Sequence, residues 1–304
     1  MKGEKFIETG FERLLSSRTK EVTEKAILSI SIGSYLVHLL LILLNTQGII
    51  ELDQKFFKNP IAAIYTPFSF ILLYEVYLLI YFLPKSITIY IGKQYEIITL
   101  IVIRRIFKDI AYVELTSDWF RDKNDLQFTY DVITSLILFL LIYFFYRNIK
   151  KRAYKSINDA NKRGQKIKRF VLLKRALAIV LVPIFLLLAG YTFLYWGAAT
   201  INDYENGIMQ FKKINNIFFD EFFNMLIVVD VLLLLFSFFY SDKFHKIIRN
   251  SGFVISTILI KISFLAEGVV NNVLIISAVL FGVLILIVHN LYAKDSLTEN
   301  PSGT

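Results

Sequence analysis

The chain has 304 residues, 56% of them strongly apolar and 19% charged, with a mean hydropathy of +0.56. A soluble domain is about 45–50% apolar with glycine included and about 25% charged, so the excess here must face lipid. With no cysteine and three histidines, His38, His245 and His289, the chain excludes disulfides, thiolate metal sites, cysteine nucleophiles, iron–sulfur clusters and multi-histidine di-iron boxes.

Residues 1–25 hold six bases and five acids, with Phe6, Ile7, Phe11, Leu14 and Leu15 at roughly helical spacing. This predicts an amphipathic helix along the cytoplasmic headgroups rather than a signal peptide. Apolar runs then recur, and a bilayer core of about 30 Å needs roughly 20 helical residues per crossing. Eight runs qualify as spans: Ala26–Leu44, Ile61–Leu83, Ser86–Phe107, Tyr130–Tyr146, Ala176–Trp196, Phe222–Tyr240, Phe253–Ala266 and Val269–His289. The third carries Lys93, Glu96, Arg104 and Arg105, and the fifth contains Pro183, placed to kink it. Only Glu267 and Gly268 separate the last two, which predicts a tight hairpin or a re-entrant pair. The expected fold is an all-α polytopic membrane helix bundle, with a disordered tail over 291–304.

Between Arg147 and Arg175 lie twelve bases and one acid, Asp159. The positive-inside rule makes this linker cytoplasmic and places both termini inside, in a cell membrane. It joins two four-span halves, 26–146 and 176–290. The first 25 residues and the linker together hold 18 of the 34 bases, which accounts for the net charge of +9 without nucleic acid. Lys150, Lys151, Arg152, Lys166, Lys168 and Arg169 are the expected contacts to anionic lipid headgroups, at about 1 kcal/mol each. No groove-reading motif or stacking platform accompanies them.

The halves are weakly alike. Phe70–Arg105 and Met225–Lys261 each place an acid inside a span, Glu75 or Asp230, then a short basic loop and an apolar run ending in Arg105 or Lys261. Such a repeat is parallel, related by an axis along the membrane normal. Tyr74–Glu75, with Pro84 nine residues later and Glu96 near the start of the next helix, also resembles the second and third helices of voltage-sensor domains. That resemblance implies a four-helix module with buried countercharges. The chain departs from the family at Leu79, where arginine is usual, and in Tyr130–Tyr146, which lacks a base at every third position. No gating-charge ladder and no potassium-selectivity sequence follow.

Ionisable groups at membrane depth persist mainly where they face a cavity or a partner. On a wheel of about 100° per residue, Lys93, Glu96, Arg104 and Lys108 share a sector of about 120°, with Ile97 and Leu100 between them as an apolar gate. Glu75 and Glu96 are expected to face bases of the third span, and Asp230 to pair with Lys261. Arg104, Arg105 and Lys108 have the alternative of snorkelling to headgroups. His38 lies in a small-residue patch suited to close helix packing or to proton relay. Asn271 and Asn272 suit either an interhelical hydrogen bond or a cation.

P-loop, GxSxG, HExxH and nucleotide-binding glycine motifs are missing, so the sequence assigns no enzyme activity, metal or cofactor. Two readings remain: a channel or transporter for an ion, proton or small solute, built on helices 2, 3, 6 and 7; or a non-transporting scaffold or sensor that docks a partner or anionic lipid through its basic linker. Homo-oligomerisation is left open by both.

Overall fold

The computed structural model describes residues 2–50, 60, 62–110, 123–156, 165–202, 207–240 and 244–298. Among them the chain is helical and contains no strand. The helices are α1 (Lys2–Leu14), α2 (Ser17–Thr46), α3 (Tyr65–Phe82, entered through a 3-10 turn at Ala62–Ile64), α4 (Ile87–Asp109), α5 (Lys123–Ser156), α6 (Gln165–Asn202), α7 (Gly207–Tyr240), α8 (Phe244–Ser263) and α9 (Gly268–Thr298).

Local chemistry sets the breaks. Ser16 stands between α1 and α2 and caps the latter, its Oγ accepting from the Thr19 amide at 3.0 Å, the usual work of a serine at an N-cap. Pro84 cannot donate an amide hydrogen bond, and α3 stops before it. The α8–α9 turn closes through 3-10-type bonds from Phe264, Leu265 and Ala266 back to Lys261, Ile262 and Ser263. It reverses at Gly268, whose φ of +63° disfavours any residue with a Cβ. The last two apolar runs thus form a hairpin.

Among the described residues, five helical stretches are long and apolar enough to cross a membrane: Glu4–Thr46, Asp125–Ile149, Arg169–Tyr191, Glu221–Phe239 and Gly268–Lys294. Thr66–Phe82 is apolar but shorter. Large apolar side chains cover the outside as well as the inside: Leu36, Leu40 and Leu43 of α2 and Leu136, Leu140 and Tyr143 of α5 are all more than half exposed. Water does not tolerate contiguous apolar surface on this scale, and lipid does.

Within 17–156, α2 packs on α3, α3 on α4 and α4 on α5; within 165–298, α6 packs on α7, α7 on α8 and α8 on α9. The two series meet through α5 with α9, α3 with α6 and α4 with α8. Tyr95, Phe145 and Phe253 fill that junction, with ring centroids 5.2 and 5.9 Å apart. Gly282 makes the approach of α4 to α9 possible, since a Cβ there would overlap the Tyr95 hydroxyl and stand 2.8 Å from its Cζ. That hydroxyl shares a 2.8 Å hydrogen bond with Ser256, which donates to the Ala278 carbonyl at 2.6 Å.

Several boundaries differ from the sequence reading. The amphipathic segment 1–25 divides at Ser16, and its second part is the opening of α2. The basic linker is largely helical, since α5 runs to Ser156 and α6 starts at Gln165; residues 157–164 lie outside the described ones. The seventh run begins at Phe244 rather than Phe253, because the bases before Phe253 sit on the same amphipathic helix. α9 continues to Thr298, so the tail expected from 291 is helical that far. α6 passes through Pro183 as one helix. α1 packs on α6, with a Cβ at Gly10 falling 3.4 Å from Ile179 and Arg175 stacked 5.0 Å over Phe11.

Candidate functional site

Three polar clusters are built on α4. The first joins α2, α3, α4 and α5 near the end of the bundle that carries the α3–α4 turn, called here the linker end. Lys93 and Glu96, one turn apart, form an ion pair of 2.6 Å. The other oxygen of Glu96 accepts from the Tyr146 hydroxyl. Tyr74 donates to Glu24 at 2.7 Å, bringing α2 onto α3. Between these pairs stands Glu75, in the field of Glu96, Lys93 and Glu24. Glu75 thus feels two other carboxylates and the ammonium of Lys93, which also lies 5.2 Å over the Phe82 ring. Lys93 and Glu96 are partly exposed, at 27% and 33%.

The second cluster is buried on the opposite flank of α4, about 160° away on the helix. Asp230 of α7, 3% exposed, accepts from Gln94 Nε2 at 3.0 Å. The hydroxyls of Tyr90 and Thr257 adjoin the same carboxylate. Its surroundings are therefore neutral. Thr257 holds the place expected for Lys261, which comes one turn later on α8, so the amide of Gln94 stands in for the anticipated Asp230–Lys261 pair, while the Thr257 hydroxyl donates to the Val254 carbonyl at 2.9 Å.

The third cluster lies at the far end of α4, about 16 Å along the axis from Gln94. Arg105 binds Asp131 of α5 with two arms, Nη2 at 2.7 Å from Oδ1 and Nε on Oδ2. Its guanidinium also donates to Asn271 Oδ1 at 2.6 Å and to Asn272 Oδ1. Asn272 and Gln127 complete Asp131 Oδ1 at 2.7 and 2.8 Å, and Asn271 donates to the Ser263 carbonyl. α4, α5, α8 and α9 are pinned here. Arg105 does not snorkel, and Asn271 and Asn272 spend their carbonyls on it.

Between the linker-end and far clusters, Ile97 is buried in the core and Leu100 is half-buried. Arg104 is half-buried on the neighbouring flank. His38 is buried, with Nδ1 2.6 Å from the Thr66 hydroxyl, bridging α2 and α3. Arg169 is exposed at the start of α6. The backbones of Lys108, Lys150, Lys151, Arg152, Lys166 and Lys168 are helical, and their side chains lie outside the described ones.

No family model, curated protein or solved structure matches this chain. The resemblance of residues 70–105 to voltage-sensor helices accordingly rests on Tyr74–Glu75, Pro84 and Glu96 alone.

Sequence reasoning missed Glu24, Gln94, Asp131 and Tyr146. Asp131 carried a usable signal, being an acid at the start of an apolar run with a base, Arg105, near the end of the preceding one. Gln94 and Tyr146 carried none, since neutral polar side chains are common in membrane helices.

Proposed function

We propose that the chain is an integral protein of the cell membrane with eight crossings and cytoplasmic termini, and that it moves a cation or proton along α4. The observation that carries this reading is Asp230: a carboxylate 3% exposed, in an apolar span, whose partners are neutral. A bare carboxylate at that depth costs several kcal/mol, and binding a proton or a cation offsets the cost. Glu75, in the field of Glu24 and Glu96, offers a cation a local stop before the interior. α3, α4 and α8 complete the eight crossings in company with the five longer stretches, their polar faces turned to neighbouring helices.

Flux from proteoliposomes of the purified chain tests the proposal, read with a pH dye and under potassium gradients of both signs. The expected result is flux in the wild type that Asp230→Asn abolishes and Glu75→Gln reduces, with unchanged expression. A wild type silent under several ions and both voltage signs would overturn it, leaving the docking scaffold as the reading to pursue.

A further inference from the structure

The turn between α3 and α4 brings together positive charge that the transport reading does not use. Lys174 of α6 is 3% exposed, although it belongs to the basic linker that sequence reasoning leaves at the surface. Its ammonium donates to the Lys85 carbonyl at 2.8 Å and lies 4.8 Å over the Phe170 ring. An ammonium has three donors. The charge acting on it is that of Arg249 in α8, which has the same sign. Arg249 is itself 8% exposed and donates to Asn250 Oδ1 at 2.8 Å. A buried ammonium in a field of its own sign loses hydration without recompense from that neighbour, a cost that an anion bound beside Lys174 would offset.

A second observation points to the same ligand. α4 begins at this turn, and its N-cap residue, Ser86, makes no side-chain cap bond, so amides of the first turn remain as donors. In that turn the Thr88 hydroxyl is buried without a hydrogen-bond partner. Donors at a helix N-terminus favour phosphate-type anions. Lys85 and Ser86 are exposed, so the turn is open to the surface. Arg175 next to Lys174 is turned instead toward Glu8, 3.9 Å away.

We infer that the α3–α4 turn, with Lys174 and the first turn of α4, is a binding site for a phosphate group, presented either by a lipid headgroup or as the free anion. This site uses the one buried base among the linker's described side chains, not its exposed ones, and is independent of the transport proposal.

Thermal unfolding of the full chain in maltoside detergent tests it, titrated in one arm with dihexanoyl phosphatidic acid and in the other with inorganic phosphate, each against chloride at matched ionic strength. A saturable rise in Tm is expected. A rise with the lipid alone assigns the site to a headgroup, and equal rises assign it to the free anion. Lys174→Gln should weaken half-saturation by about tenfold, the worth of one charge-assisted hydrogen bond, while Arg169→Gln leaves it unchanged. No saturable shift in either arm, or the same half-saturation in Lys174→Gln as in the wild type, would overturn the inference. The wild-type arms decide by themselves should Lys174→Gln fail to fold.

Discussion

Arg105 and Asp131, 26 residues apart in sequence, meet as a bidentate pair at the far end of the bundle, with the carboxylate fully buried. Removing one member leaves the other charge without its counterpart. Asp131→Asn is expected to destabilise by about 3–5 kcal/mol, seen as a lowered Tm in detergent. The double change Arg105→Met with Asp131→Leu removes both charges and should cost less than either single change. Equal or additive losses would mean that the hydrogen bonds to the asparagines, not the charge of the carboxylate, hold the guanidinium in place.

Gly282→Ala forces Tyr95 aside and breaks its bond to Ser256. Overpacking of this kind costs about 1–3 kcal/mol. Tyr95→Phe removes the overlapping hydroxyl, so the double variant should regain part of the loss. Unfolding curves of the four proteins give the coupling directly, and purely additive effects would contradict the contact.

Lys93 is the one ammonium among the groups that act on Glu75. Lys93→Gln removes the positive charge that acts on Glu75 and pairs with Glu96, and should tighten half-saturation for a monovalent cation, by up to about tenfold after screening. Flux measured over a potassium series checks the direction. Weaker saturation in the variant would show that Lys93 lines the path instead of masking its mouth.

Arg175 and Glu8 join α6 to α1 across 3.9 Å, with the glutamate side chain 56% exposed. Exposed pairs at that separation contribute little, so Glu8→Gln should change stability by less than about 0.5 kcal/mol. Melting at low and high salt should coincide for wild type and variant. A large loss would mean that the pair, rather than the packing of Gly10 on Ile179, holds α1 in place.

The helices were legible because apolar length and polar punctuation are local properties. Pro84 and Gly268 marked turns that the structure contains, and Lys93 and Glu96 could be placed together from their spacing alone. Partnerships between helices were less accessible. Arg104 and Arg105 differ by one step of the helix, about 100°, and that step separates the half-buried flank from the four-helix clamp. A search for opposite charges pointed Asp230 at Lys261, whereas the group that meets it is the amide of Gln94, which carries no charge to notice. Lys174 was hidden by its company, one of twelve bases of which the sequence does not say which turns inward.

The clamp around Arg105 also sets an order of assembly. Asp131 emerges from the ribosome soon after Arg105, but Asn271 and Asn272 follow 166 and 167 residues behind their partner. A nascent chain with only its first half inserted therefore holds a guanidinium that still lacks two of its acceptors. The far ends of α4 and α5 stay incompletely bonded until α9 arrives, so a helix made well over a hundred residues later completes the clamp on the first half.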